Sequence, residues 1–274
     1  MVFQRKVIWI VDFDQDPAKN YQYAQDSGCT TVCVRTWSDK LEDAIATFHG
    51  MKKEVFAWRW PGADGAPCAS TKGPHYFIKD EANFVVQHLI DKGLDGYIVD
   101  PESNDDDDVN DWNRKVVSGN KLSDLATEFW KIISTKVGAK RFHYGMTSGC
   151  NFPKEKSILP WEQFIAPCNA IYPQCYWDVE AKDGITVTHP FGAAPAQTVA
   201  LAMPIWQKVA GAKPIIPMAG ETNHIAPDDV ALFVTELNNL NATEAHFYID
   251  HNPVDPAVLA KIKAIPTQPS IYDV

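Results

Sequence analysis

Eight short apolar runs, each followed by a helical pattern, recur from one end of this chain to the other, and that alternation limits the fold more than any other feature. The runs predict strands at Lys6–Phe13, Thr31–Trp37, Glu54–Trp60, Gly96–Asp100, Arg141–Thr147, Ala170–Trp177, Pro214–Met218 and Glu244–Asp250. Helical patterns lie between them, from Pro17–Ser27 to Pro256–Ala264, several opened by Pro (Asp16-Pro17, Ala226-Pro227) or closed by Gly (Lys92-Gly93, Val137-Gly138). Strands that are apolar on both faces need cover on both faces, as in a parallel sheet wrapped by helices. Repeated eight times, the unit predicts an α/β chain folded as a single (β/α)8 TIM barrel, one domain spanning residues 1–274. A doubly wound sheet is disfavoured because no Gly-x-Gly-x-x-Gly follows the first strand.

In such a barrel the residues closing each strand converge on one mouth, where active sites form. Strand four closes with Asp100-Pro101-Glu102, two carboxylates two residues apart and therefore on one face. Two acids that close cannot both ionise freely, so one keeps its proton to higher pH. A protonated acid beside a charged one is the pairing that glycosidic cleavage uses. The other strands bring Asp12 and Asp14; Arg35; Trp58 and Trp60; Tyr144 and Thr147; Gln174, Tyr176 and Trp177; Glu221; and Tyr248 with Asp250. That mouth is acidic and aromatic, suited to an uncharged or cationic polyhydroxylated ligand. Arg35, Tyr144, Gln174, Asp12 and Asp14 are candidate substrate contacts, and Trp58, Trp60 and Trp177 candidate sugar platforms. Asp250 is a candidate catalytic helper.

Other chemistries find little support. The net charge of −10 argues against nucleic acid as a partner, and no stretch is apolar enough to span a membrane. The eight His are scattered, without His-x-His or His-Glu-x-x-His, so no metal and no cofactor is expected. The run Asp105–Asp108 lacks the Gly and terminal Glu of a calcium loop and reads as a solvated acidic loop. A phosphodiesterase using His143 or His251 would need a phosphate-cradling Gly-rich loop, which is missing. Six cysteines without a Cys-x-x-Cys pair read as buried free thiols. The first residues run into a strand pattern without a signal-peptide core, which predicts a cytoplasmic protein, or one released without a classical signal, phage-associated or exported by a non-classical route.

At strand four the chain resembles the family 18 glycoside hydrolases, chitinases and endo-N-acetylglucosaminidases, whose signature there is Asp-Gly-x-Asp-x-Asp-x-Glu. Asp95, Gly96, Asp100 and Glu102 match it, and Ile98 replaces the middle Asp. Gln174-Cys175-Tyr176-Trp177-Asp178 is loosely similar to that family's Met-x-Tyr-Asp. The chain is also similar to the family 25 lysozymes, in which Asp12 or Asp14, Asp100-Pro101-Glu102 and Asp250-His251-Asn252 would occupy the matching places. Both resemblances imply Glu102 as general acid, its pKa raised by burial and the adjacent Asp100, on a β-linked N-acetylhexosamine polymer, peptidoglycan or chitin-like. The first implies that Asp100 orients a substrate acetamido group whose oxygen attacks C1, with Tyr176 holding that oxygen. Two alternatives stand beside this. A retaining glycosidase would pair Glu102 with Glu221 as nucleophile on another glycan. A catalytically inactive carbohydrate-binding barrel would keep the cleft and lose turnover, as the absence of the Asp at Ile98 suggests.

Overall fold

The computed structural model describes residues 1–63, 77–102, 112, 121–155, 158–180, 186–188, 194–249 and 253–273, with backbone alone at 178–180 and 186–188. Strands β1 (Arg5–Ile10), β2 (Thr31–Arg35), β3 (Glu54–Arg59), β4 (Gly96–Val99), β5 (His143–Gly149) and β6 (Ala170–Gln174) are joined by β9 (Met218–Ala219) and β10 (Glu244–Ile249). All eight pair in parallel and close into a barrel in the order β1-β10-β9-β6-β5-β4-β3-β2. The helices α1 (Pro17–Asp26), α2 (Leu41–Gly50), α3 (Ile78–Phe84), α4 (Leu122–Val137), α5 (Phe152–Glu155), α6 (Trp161–Ile165), α7 (Pro195–Ala210), α8 (Pro227–Asn239) and α9 (Pro256–Lys263) fall between and after them. The predicted (β/α)8 barrel is the observed one. No helix among the described residues is long and apolar enough to cross a membrane.

Burial on both faces explains the apolar runs: Val7, Ile8, Trp9 and Ile10 are all buried, as are Val32, Cys33 and Val34. One residue in two points into the barrel. The inward set includes Arg5 and Trp9, Glu54, Phe56 and Trp58, His143, Tyr172, and Glu244 and His246, which meet one another across the lumen. Gly96 and Gly145 make room for them: a Cβ at Gly96 would stand 2.7 Å from Phe56, and one at Gly145 2.8 Å from Tyr172.

Three elements depart from expectation for identifiable reasons. The strand expected over 214–218 shrinks to β9, because Pro214 and Pro217 have no N–H to give the ladder. Pairing with β6 is kept by Ile216, whose N–H reaches the Ile171 carbonyl at 2.8 Å. After α3 the helix runs on through a π turn, Val85–Leu89, and a 3-10 turn, Ile90–Lys92, before Gly93 stops it at φ 101°. The stretch after β6, where the sequence predicts no further strand before residue 214, carries an antiparallel pair, β7 (Asp178–Glu180) and β8 (Thr186–Thr188). Of the cysteines, Cys29, Cys33, Cys150, Cys168 and Cys175 are free and buried, and Cys68 lies outside the described residues.

Candidate active site

At the C-terminal end of the barrel, Asp100, Glu102, Trp58, Trp60, Gln174 and Tyr176 line one cleft with Trp9, Thr147, Met218 and Tyr248. Its volume is about 210 Å³. A larger cavity, about 550 Å³, opens at the other end of the barrel among Arg5, Glu54, Arg141, His143 and Glu244. There each carboxylate is already bonded: Glu54 to Arg5 and Arg141, Glu244 to Arg5 and Tyr172. Two carboxylates that share a neighbour, the Gln174 amide, lie instead in the smaller, C-terminal cleft, the end of a barrel where active sites form.

Asp100 sits on the cleft floor with 2% of its surface exposed, its N–H bonded to the Arg59 carbonyl at 2.7 Å. Glu102, one Pro further on, is half-buried and closer to the opening; Ser148 Oγ holds the Pro101 carbonyl between them at 2.7 Å. The Gln174 amide bridges the two acids, donating from Nε2 to Asp100 Oδ1 and Oδ2 at 3.1 and 3.2 Å and to Glu102 Oε1 at 3.4 Å. Burial and then the charge of Glu102 push the Asp100 carboxyl well above its usual range, and the Gln174 bond opposes them. Asp100 is raised because it is the deeper acid, removed from water. Asp100 also raises the thiol of Cys33, whose own burial is the larger cause.

Tyr176 stacks on Tyr248 with ring centres 5.4 Å apart. Burial and its neighbours Tyr248, Asp100, Glu221 and Glu102 raise its hydroxyl far above the ordinary phenol, so it remains a donor. Room for the ring comes from Gly220, where a Cβ would lie 2.0 Å from Tyr176 Cγ. The aromatic wall is continuous: Trp58 meets Trp9 at 5.7 Å, Trp60 at 5.1 Å and Tyr248 at 6.2 Å between ring centres.

The remaining sequence candidates lie elsewhere. Asp12, Asp14 and Arg35 line a neighbouring depression of about 160 Å³. Asp12 is ion-paired with Arg35, whose guanidinium lies 5.3 Å from the Trp60 ring centre and so borders the cleft. Asp14 is a cap for the entry to α2, accepting from Ser38 Oγ at 2.6 Å and from the Asp39 and Lys40 N–H groups. Tyr144 packs on the outside of the barrel against Trp130 and Phe142, because β5 turns His143, Gly145 and Thr147 inward. Trp177 is wholly buried against Phe233, on the face opposite Gln174 and Tyr176, and has no surface for a sugar. Glu221 lies just past β9 with His224 Nε2 at 3.9 Å, outside the cleft lining but near enough to Tyr176 to raise its hydroxyl. Asp250 and Asp105–Asp108 lie outside the described residues. Asp95 is structural, holding the Val55 N–H, His49 and the Tyr272 hydroxyl at 2.8, 2.9 and 2.6 Å. Trp9 was not foreseen. Among the described residues, no group of three or more His, Cys, Asp or Glu is placed to hold a metal ion.

Fold and cleft together define a (β/α)8 barrel with an acidic, aromatic cleft at the C-terminal end of its strands. No family model matches the chain, and no curated protein matches it in sequence. Solved structures do match. A chitinase from Rhizomucor miehei, RmChi1, aligns over 96% of this chain and 100% of its own with a TM-score of 0.57 and 11% identity. The spore cortex-lytic enzyme SleL of Bacillus cereus aligns over 98% and 76% with a TM-score of 0.62 and 6% identity. Human YKL-39, described as a pseudo-chitinase with retained chitooligosaccharide binding properties, aligns over 95% and 98% with a TM-score of 0.57 and 12% identity. At these identities the likeness is one of fold.

Proposed function

We propose that this protein is a glycosidase acting on a β-linked N-acetylhexosamine polymer, chitin-like or peptidoglycan, with Glu102 as general acid and Asp100 as its helper. The observation that carries the reading is the pair of acids in one cleft, Asp100 on its floor and Glu102 nearer its opening, bridged by Gln174 and walled by Trp9, Trp58 and Trp60. Glu102 is the more accessible acid and so the one that reaches a leaving oxygen. As that oxygen takes the Glu102 proton, the C1–O bond breaks and the substrate's own acetamido oxygen bonds to C1. Asp100 beneath orients the acetamido group, and the Tyr176 hydroxyl donates to its oxygen. Water then attacks C1, giving its proton to Glu102 as the bond between C1 and the acetamido oxygen breaks and the acetamido group is restored, so the anomeric configuration is retained.

A carbohydrate-binding barrel without turnover is the second reading. It is favoured by one observation: Ile98 and Cys33, apolar and buried, lie next to Asp100, so no further carboxylate from β4 shares its proton. Reducing-end release from chitin oligomers and peptidoglycan, with Glu102→Gln alongside, separates the two. The enzyme reading expects turnover that falls by about 10²–10⁴-fold in the variant while binding persists. Wild-type binding without turnover on any substrate would leave the lectin-like reading in its place.

A further inference from the structure

The floor of the cleft is tied to the far end of the barrel by a chain of buried hydrogen bonds. The Trp9 indole N–H donates to His246 Nδ1 at 3.0 Å. That bond requires a bare nitrogen at Nδ1, so the ring proton of a neutral His246 is on Nε2, where it meets Glu244 Oε2 at 2.9 Å. Burial lowers the pKa of His246 against the opposing pull of Glu244, consistent with a neutral ring. Glu244 is itself fixed from two other sides, by Arg5 Nη1 at 2.7 Å and the Tyr172 hydroxyl at 3.1 Å. The Tyr172 ring also lies against the imidazole, centres 4.2 Å apart. Every member is therefore held in one orientation, and the chain ends on an indole lying edge-on to Trp58 at 5.7 Å and 63°.

We propose that Glu244 and His246 are positioning residues for the aromatic floor of the cleft: they fix Trp9, and through Trp9 the Trp58 ring on which a sugar rests. The proposal rests on the cleft being the glycan site. An apolar pair would fill the same space without specifying a ring orientation; a carboxylate, an imidazole of one tautomer and an indole N–H specify it at each link. Such an arrangement acts on how the cleft receives its ligand rather than on proton transfer at Glu102.

Two substitutions at one position divide the links. In His246→Asn the side-chain oxygen occupies the place of Nδ1 and still accepts from Trp9. In His246→Gln the amide reaches Glu244 instead, leaving the Trp9 N–H without its acceptor. The expected result is a KM for chitin oligomers about tenfold higher in His246→Gln and in Trp9→Phe, as for a lost buried hydrogen bond. In the same variants kcat stays within about twofold, and His246→Asn keeps the wild-type KM. Trp9→Phe keeps an aromatic ring and decides the matter if His246→Gln fails to fold. A glycan-free readout accompanies the kinetics: the indole N–H resonance of Trp58, assigned through Trp58→Phe, shifts or broadens in His246→Gln and Trp9→Phe and not in His246→Asn. Equal KM values in all folded variants, with an unmoved Trp58 resonance, would reduce the chain to a stabilising network and overturn the proposal. If the wild type binds no glycan, the glycosidase reading fails, and the resonance alone decides the relay.

Discussion

His143 stands at the start of β5, beneath the cavity at that end of the barrel: it is 9% exposed, stacked on Phe56 with ring centres 4.8 Å apart. The Tyr172 hydroxyl gives its proton to Glu244, so at 2.7 Å the Tyr172 oxygen accepts from His143 Nε2. Burial is the main cause of a His143 pKa lowered to about 4; Arg5, His246 and Arg141 add to it, and Glu244 opposes. In the unfolded chain the same imidazole titrates near 6.5. Above that pH neither state binds the proton, and the stability associated with His143 is complete. As pH falls from about 6.5 to about 4 the unfolded state takes up a proton that the folded state refuses, so stability is lost across that window. The interval of about 2.5 pH units is worth about 3 kcal/mol at 1.36 kcal/mol per unit, a large share of a typical domain's 5–15 kcal/mol. Urea unfolding followed by far-UV circular dichroism at pH 7, 6, 5 and 4, on the wild type and His143→Gln, isolates this term because the other groups titrate in both proteins. The wild type should lose about 3 kcal/mol more than the variant between pH 7 and 4. Parallel losses would refute the claim that His143 is kept neutral in the fold.

Gly220→Ala places a methyl group 2.0 Å from Tyr176 Cγ, so the ring must leave its stack on Tyr248; glycan affinity and kcat/KM should both fall by at least about tenfold in a protein that still folds, read by calorimetry and single-turnover kinetics. Gln174→Leu removes the bond that lowers the Asp100 pKa, so that pKa rises further and the ionisation of Asp100 in the pH–rate profile moves to higher pH; an unmoved limb would mean that Gln174 does not govern the pair. Glu244→Ala strips Arg5 and His246 of a buried partner and should cost about 3–5 kcal/mol, measured as a lowered unfolding midpoint in urea at pH 7.

The barrel is legible in the sequence because a strand covered on both faces has no reason to alternate: Val7–Ile10 and Val55–Trp58 read as unbroken apolar segments and become β1 and β3. Helix ends are legible where a backbone needs a residue without a Cβ, as at Gly93 with φ 101°. The cleft is legible to the extent that parity is respected. Trp58 with Trp60, Asp100 with Glu102, and Gln174 with Tyr176 are each two apart, and each pair lines the cleft together. Tyr144 and Thr147 are three apart and cannot share a strand face, and Trp177 adjoins Tyr176; period-two reasoning applied to strands five and six would have excluded both aromatics. Trp9 has no such marker. Its strand is apolar at every position from Val7 to Val11, so the sequence does not say which residues enter the lumen. The buried chain from Arg5 through Glu244 and His246 to Trp9 is harder still to read. Arg5 and Glu244 stand at strand starts, where a polar residue ordinarily meets solvent, and the four converge only because β1 pairs with β10, some 240 residues later, to shut the barrel. What fixes the cleft floor is thus a product of closure, a property of the ring of strands that no single segment carries.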